Sequence, residues 1–399
     1  MLQPTQGLRT IGIVGTGFIA RGFARLVLRS HPDLQIAAVL TRRPVDSVSF
    51  PCPEVLTTSI EALIDRCELI VECSGDAVHA TDVVAQALQA GRPVVTMNAE
   101  FHVTTGSHFA GSDGYLTEAE GDQPGCLAAL HAEAVAMGFE PVTYVNMKGY
   151  QNLMPSEADM AYWAARQDFT IAQTTSFTDG TKLQIEQAFI ANATGSTIAQ
   201  RALIGSREPD LHKVAALFGE IAERIGPFAD YVIGGGLAPG VFIVARHDAL
   251  ESVPLRTIKM GDGPYYLLMR NYHLCALEIA KTVRRAFAGA PPLMTNSTSP
   301  TIGVAAVAKR DLAAGSTIAC GIGSFEVRGE AVRIVDEPEH VPIGLLKDAR
   351  LARLVTAGET LRWSDVELPD SLAVRLARNT TAPVATAATM PRQAAVPAA

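Results

Sequence analysis

The stretch 10-TIGIVGTGFIARG-22 decides the fold. Thr10 to Val14 is a run of β-formers and predicts a strand. Gly15-x-Gly17-x-x-Ala20 follows at once, and Phe18 to Arg29 has helical periodicity. This is the dinucleotide fingerprint in its Ala-ending form. The first Gly permits a tight turn, the second lets a pyrophosphate approach the backbone, and the small third residue lets helix and strand pack closely. A diphosphate there would sit at a helix N-terminus, where unpaired N–H groups and the dipole favour an anion. Gly15, Thr16, Gly17, Phe18, Ile19 and Ala20 are therefore the expected cofactor turn.

A second strand, Gln35 to Leu40, ends in Thr41-Arg42-Arg43. A site for NAD usually carries Asp or Glu at this point, to bind the ribose 2′-hydroxyl. A hydroxyl and two guanidinium groups suit the extra phosphate of NADP instead, so NADP(H) is the expected cofactor. A solvated basic turn is the alternative. Two further strands, Leu69 to Cys73 and Pro93 to Met97, end in Ser74-Gly75 and in Asn98-Ala99-Glu100. At the carboxyl edge of such a sheet, Ser74, Gly75, Asn98 and Glu100 would face the nicotinamide side of the cofactor. Asn98 reads equally well as a turn residue.

Helices at Ser59 to Asp65 and Thr81 to Ala90 alternate with these strands. The alternation implies a parallel sheet with helices on both faces, a Rossmann domain within an α/β chain. Further on, Pro124 to Met137 reads as a helix and Pro141 to Gln151 and Thr170 to Phe177 as strands. Thr178 to Lys182 reads as a turn into a helix reaching Ala193. Residues 208–226 read as another helix, 229–247 as strand, loop, strand, and 272–288 as a helix with a basic end. The expected division is a dinucleotide-binding domain at 1–145, joined by a helix at 272–290 packing back on it. An α+β substrate domain follows at 146–295, a small all-β unit at 296–378 and a disordered tail at 379–399. Asp311 to Ile318 (DLAAGSTI) and Leu354 to Leu361 (LVTAGETL) echo one another within the third unit.

Among 399 residues, 48% are hydrophobic and 19% charged, which excludes disorder throughout. The net charge of −8, with no clustered basic face, argues against a nucleic-acid surface. No apolar run reaches the roughly 18 residues of a membrane helix. The six scattered cysteines form no CxxC and read as reduced thiols; with no secretory signal in the reading, a cytoplasmic location is expected.

For chemistry, Lys148 ends a strand, Asp179 and Lys182 flank a turn, and Glu186 shares a helical face with Lys182. Hydride transfer to a carbonyl develops an alkoxide that an ammonium can stabilise or protonate, with a carboxylate to hold the lysine. A surface i,i+4 ion pair is the bland alternative. Glu118, Glu120 and Asp122 precede Pro124 and read first as helix-capping charge, with a divalent metal site as the other option. His273 is a candidate substrate contact or a structural histidine.

Five segments together resemble one family: IGIVGTGFIARG (11–22), VVTMNAE (94–100), EGDQPG (120–125), SFTDGTKLQIEQAFIANATG (176–195) and GDGPYYLLMRNYHL (261–274). They look like homoserine dehydrogenase-like oxidoreductases with a C-terminal SAF domain, which include the deoxyxylulose-phosphate reductoisomerase-like enzymes. AKRDLAAGSTI (308–318) and LARLVTAGETLRWSDVEL (351–368) look like the SAF unit, a β-clip fold. The resemblance puts Lys182 on the family's DG[ST]K lysine, with Asp179 to orient it, Lys148 to bind substrate and Glu186 beside them. Homoserine dehydrogenases have Asn-Lys where this chain has Asn98-Ala99-Glu100, a departure that favours the SAF-bearing branch. The resemblance implies a homo-oligomeric oxidoreductase for a small polar or phosphorylated carbonyl or hydroxyl substrate, and the basic turn after the second strand makes it NADP-dependent. A reductoisomerase would also need a divalent metal and a phosphate site. A non-catalytic nucleotide sensor is the rival from another class.

Overall fold

In the computed structural model, which describes residues 7–381, the first unit is a six-stranded sheet. Its elements are β1 (Arg9–Val14), α1 (Phe18–Ser30), β2 (Leu34–Leu40), β3 (Leu56–Thr57), α2 (Ile60–Arg66) and β4 (Leu69–Glu72), then α3 (Ala77–Gln89), β5 (Val94–Thr96), α4 (Ala99–Thr104) and β6 (Leu116–Glu118). The order is β3-β2-β1-β4-β5-β6 and every neighbouring pair is parallel. Strand order reverses between β1 and β4, so a crevice opens at their carboxyl ends, the position where such sheets bind ligands. β4 is buried along its whole length, as expected of a strand covered on both faces. α1 buries Ala20, Phe23, Ala24 and Val27 on one stripe, in a core with Ile11 and Ile13 of β1 and Ile36 of β2.

The second unit contains α5 (Gln123–Ala136), β7 (Glu140–Lys148), α6 (Glu157–Gln167), α7 (Ile171–Thr178), α8 (Thr181–Thr194) and α9 (Leu211–Ile225). β8 (Phe228–Ile233), β9 (Val241–Arg246), α10 (Ser252–Thr257) and β10 (Tyr266–Arg270) follow. Its mixed sheet runs β10-β9-β7-β8. Val214, Phe218 and Ala222 of α9 cover one face, while α5 and α8 cover the other. α8 is the hub of the molecule. Every residue from Thr181 to Asn192 is buried, because α4, α5, α7, the β7–β8 sheet and the C-terminal strands surround it. A helix enclosed on all sides needs no single apolar stripe.

α11 (Ile279–Phe287) returns to the first sheet, where Ile279, Ala280 and Val283 join the core of Ile13 and Phe23. The remaining elements are β11 (Ile302–Ala308), β12 (Thr317–Cys320), β13 (Val327–Arg333), β14 (Lys347–Leu351), β15 (Val366–Glu367) and α12 (Leu372–Thr381). They form two small antiparallel sheets, β11-β13 and β12-β14-β15. The sequence echo has a structural counterpart: Leu312 and Val355 pair antiparallel, and Gly315 and Gly358 make matching turns at φ 81° and 85°. α12 runs past residue 378, and the rest of the expected tail lies outside the described residues. No described helix is long and apolar enough to cross a membrane.

Two expected elements differ. Thr170 to Phe177 forms helix α7, not a strand. Thr170 and Gln173 make a capping box, and the Thr174 and Thr175 hydroxyls donate to carbonyls one turn back, so β-branched polar side chains are satisfied in the helix. The expected 272–288 helix begins only at Ile279. Cys275 sits at φ 47° with its amide on Gly121 O, which stops a helix from forming earlier.

Phe189 is fully buried at the centre of α8 and stacks on the His102 ring at 4.2 Å. Phe189→Ala should cost about 3–5 kcal/mol of stability, read from urea unfolding. A loss under about 1 kcal/mol would contradict the assignment of α8 as the hub of the core.

Candidate active site

The turn between β1 and α1 is built to receive a diphosphate. Gly15 has φ 99°, and a Cβ there would lie 3.0 Å from Cys73 O and 3.1 Å from Ser74 Cα, so the turn touches the loop after β4. Gly17 caps α1 with no side-chain hydrogen bond, nothing lies near where its Cβ would be, and the first helical turn carries no acid. That leaves open space in front of unpaired N–H groups, which fits an anion.

The two arginines after β2 behave separately. Arg43 Nη2 donates to Thr16 Oγ1 at 2.8 Å, leaning over the turn, and its amide donates to Thr41 Oγ1. Arg42 Nη1 instead pairs with Asp76 Oδ2 at 2.6 Å, at the N-terminus of α3. After β4, Ser74 Oγ accepts from the Asp76 amide, and Gly75 adopts φ 65° with open space beside it.

Asn98 and Glu100 both have protein partners. Asn98 is fully buried and caps α4, accepting from the Phe101 amide at 3.0 Å and donating to Glu72 Oε2 at 2.7 Å. The turn-residue alternative describes its bonding. Glu100 Oε2 accepts from Lys182 Nζ at 3.0 Å.

Lys182 is the centre of a buried polar cluster. Its ammonium also donates to Asp122 Oδ2 at 3.2 Å. Asp122 stands at the N-cap position of α5, but its side chain makes no capping bond, so the capping expectation gives way to a lysine pair. The Gln123 amide, oriented by its neighbours, donates to Asp122 Oδ1 at 3.0 Å and accepts from His273 Nε2 at 3.1 Å and Lys148 Nζ at 2.9 Å. Lys148 Nζ lies 3.3 Å from Glu186 Oε2, which also accepts from Asn146 Nδ2 at 2.7 Å. Lys148, Lys182 and Glu186 are thus brought together as expected, with His273 at the rim. Cys275 lies beside His273, but burial pushes its thiol up to about 12, so it is no thiolate nucleophile.

Asp179 differs from the expectation. It does not orient Lys182. Its Oδ2 meets Lys309 Nζ at 2.7 Å, in a fully buried pair, and its Oδ1 accepts from the Thr181 amide at 2.8 Å. Lys309 also donates to Ser324 O. Asp179 therefore fixes the first turn of α8, and with it the backbone of Lys182.

The electrostatics divide the cluster into fixed and movable charges. Burial opposes the Lys182 ammonium, yet Asp122, Glu100 and Glu186 outweigh it and hold its pKa well above the usual value. Burial would raise Asp122, but Lys182, His273 and Lys148 hold it below its usual range. Glu186 is raised, chiefly by burial and only partly offset by Lys148. Burial lifts Glu72 from the ordinary 4.5 to about 7, and it also holds Glu118 well above its usual range. Glu120 is occupied by Arg270 and Lys281. Among the described residues no group of three His, Cys, Asp or Glu could hold a metal ion.

Sequence reasoning missed Gln123, Asn146 and Glu72. Asn146 was legible, since it lies two residues before Lys148 on one strand and so shares its face. Gln123 and Glu72 carry no comparable local signal.

Residues 15–108 match the family model of the homoserine dehydrogenase NAD-binding domain, and residues 121–279 match the oxidoreductase DRL catalytic domain. Together with the site, these matches define an NAD(P)-dependent oxidoreductase. The first match is to an NAD-binding domain, so the cofactor is a nicotinamide dinucleotide. Similar solved structures include a homoserine dehydrogenase from Thiobacillus denitrificans, with 15% identity, TM-score 0.46 and coverage of 78% of this chain and 84% of that one. A UDP-N-acetylglucosamine 3-dehydrogenase from Acidithiobacillus ferrooxidans has 11% identity, TM-score 0.41 and coverage of 73% and 93%. Dihydrodipicolinate reductase from a Paenisporosarcina species has 14% identity, TM-score 0.36 and coverage of 73% and 96%. No curated protein sequence matches the chain.

Glu72 makes a testable contribution to stability. Its folded pKa of about 7 lies above the ordinary 4.5, so the native state binds the extra proton between those values. Stability from this group is full below the lower value and lost as pH rises through the upper one. Between about pH 4.5 and 7, Glu72→Gln should lose less stability with rising pH than the wild type, by urea unfolding at each pH. Parallel curves would show that Glu72 does not titrate there.

Proposed function

We propose that the chain catalyses NADP-dependent hydride transfer between the nucleotide and a small, polar carbonyl or hydroxyl compound. The observation that carries this reading is the Lys182 ammonium, locked between Glu100 and Asp122 at the edge of the dinucleotide crevice. Bound at the β1–α1 turn, the nucleotide supplies or accepts the hydride. Gly15, Gly17 and the free amides of α1 would hold its diphosphate, and Arg43 with Thr41 and Thr16 would meet the 2′-phosphate.

Lys182 has the character of a fixed cation. With its pKa held so high, it stabilises a developing alkoxide without giving up its proton. The proton is better carried by the neighbouring pair. Lys148 is partly open to the crevice and would deliver a proton from Nζ to the substrate oxygen. Glu186, raised by burial and touching Lys148, would hold the replacement proton. In the oxidative direction the same groups run in reverse. Gln123 and His273 would orient Lys148 and bind the polar end of the substrate.

The reductoisomerase reading fits less well. It calls for carboxylates converging on a divalent cation, and here the space between Glu100 and Asp122 is filled by the lysine ammonium itself. The sensor reading leaves an oxidoreductase catalytic-domain match and a buried two-lysine cluster without a role. The resemblance of residues 296–378 to an SAF unit belongs to the same proposal.

Lys182→Met should lower turnover by about 10²–10³-fold, while nucleotide affinity stays within about twofold. Turnover is followed at the nicotinamide absorbance with a panel of small hydroxy and carbonyl compounds. The substitution strands two buried carboxylates at a cost of about 3–5 kcal/mol, so near-UV circular dichroism first establishes a packed core. A folded Lys182→Met enzyme with wild-type turnover would sink the proposal.

A further inference from the structure

We propose that Lys347, from the C-terminal β unit, is a specificity-determining residue for the nucleotide, completing with Arg42 and Arg43 a basic pocket for the 2′-phosphate. This rests on the NADP reading above and extends it to a part of the chain that neither matched domain includes.

Arg42 Nη1 lies 2.6 Å and Lys347 Nζ 2.7 Å from the same oxygen, Asp76 Oδ2. The two cations are therefore no further apart than the sum of those distances, and one carboxylate serves both. Asp76 is itself committed, because its other oxygen caps α3 through the His79 amide at 3.0 Å. Burial works against its charge, yet Lys347, His79 and Arg42 keep its carboxyl down at about 2. Two cations thus share one carboxylate beside the end of β2, while the neighbouring Arg43 reaches Thr16 on the β1–α1 turn. That surplus of positive charge suits a phosphate, and hydroxyl recognition does not need it.

The C-terminal unit does not reach this point by accident of a floppy side chain. The short 3-10 turn Ile343–Leu345 packs against both α3 and α4 just before Lys347. Gly344 sits so close to α4 that a Cβ would come within 2.2 Å of Thr104 Oγ1. Backbone contact on that scale fixes the start of β14, and with it Lys347, at the N-terminus of α3. Its side chain is still 41% exposed, so the ammonium can turn to an incoming phosphate.

The test is calorimetric titration of the full chain with NADPH and, separately, NADH, for the wild type, Lys347→Ala, Lys347→Arg and Arg43→Ala. The wild type should prefer NADPH. Lys347→Ala should weaken NADPH binding by about tenfold, the worth of roughly one charge-assisted contact, and leave NADH within about twofold. Lys347→Arg should restore most of the preference. If Arg43→Ala lowers the preference but Lys347→Ala leaves the NADPH-to-NADH ratio unchanged, this inference is overturned and the NADP reading stands. If the wild type binds NADH at least as tightly as NADPH, both fall together.

Discussion

One buried cation organises this molecule. Lys182 projects from the first turn of α8 and meets Glu100 from α4 and Asp122 from the N-terminus of α5. The first carboxylate belongs to the dinucleotide-binding unit and the other two groups to the second unit, so the pair of contacts spans their junction. Burying three ionised groups is expensive, and mutual attraction offsets that cost only when geometry and further hydrogen bonds are good. Here Gln123 takes the free oxygen of Asp122. An apolar cluster of the same shape would be as stable or more so. The arrangement makes better sense as a means of holding a positive charge rigidly at the crevice, ready before any substrate arrives.

The C-terminal β unit serves that same end. Thr181 and Gln184 accept from the amides of Gly329 and Ala331 on β13, at positions three apart on the face of α8. Lys309 reaches in to neutralise Asp179, which caps the start of the helix. At the other end of the crevice, Lys347 meets Arg42 through Asp76. The unit therefore backs the helix that carries Lys182 and reaches the N-terminus of α3 at once. Its strands could not be removed without exposing the buried flank of α8.

Much of this was legible in the sequence, and the rest had physical reasons to stay hidden. The glycine turn is local chemistry, so 10-TIGIVGTGFIARG-22 announced both the sheet and its crevice. The spacing of four put Lys182 and Glu186 on one helical face, and the family resemblance, not local chemistry, added Lys148 to them. Partners distant in the chain were invisible. Asp179 looked like the partner of Lys182 because it is three residues away, while its actual partner lies 130 residues on. Glu100 shared a strand end with Asn98 and was read with it, yet two residues into α4 it meets Lys182 from a helix 82 residues on. The run TIAQTTSF looked like a strand because its threonines are β-branched. Their hydroxyls find carbonyls within the helix, and a capping box starts it.

The most direct test of the central claim is a crystal structure of the complex with NADP(H), read for the direction in which the nicotinamide ring points. The account predicts that the ring lies at the carboxyl ends of β4 and β5 with C4 turned toward Lys182 and Lys148, leaving room for one carbonyl group between them. A nicotinamide pointing away from this cluster, or walled off from it by protein, would contradict the assignment of Lys182 as the cation that meets the reacting oxygen.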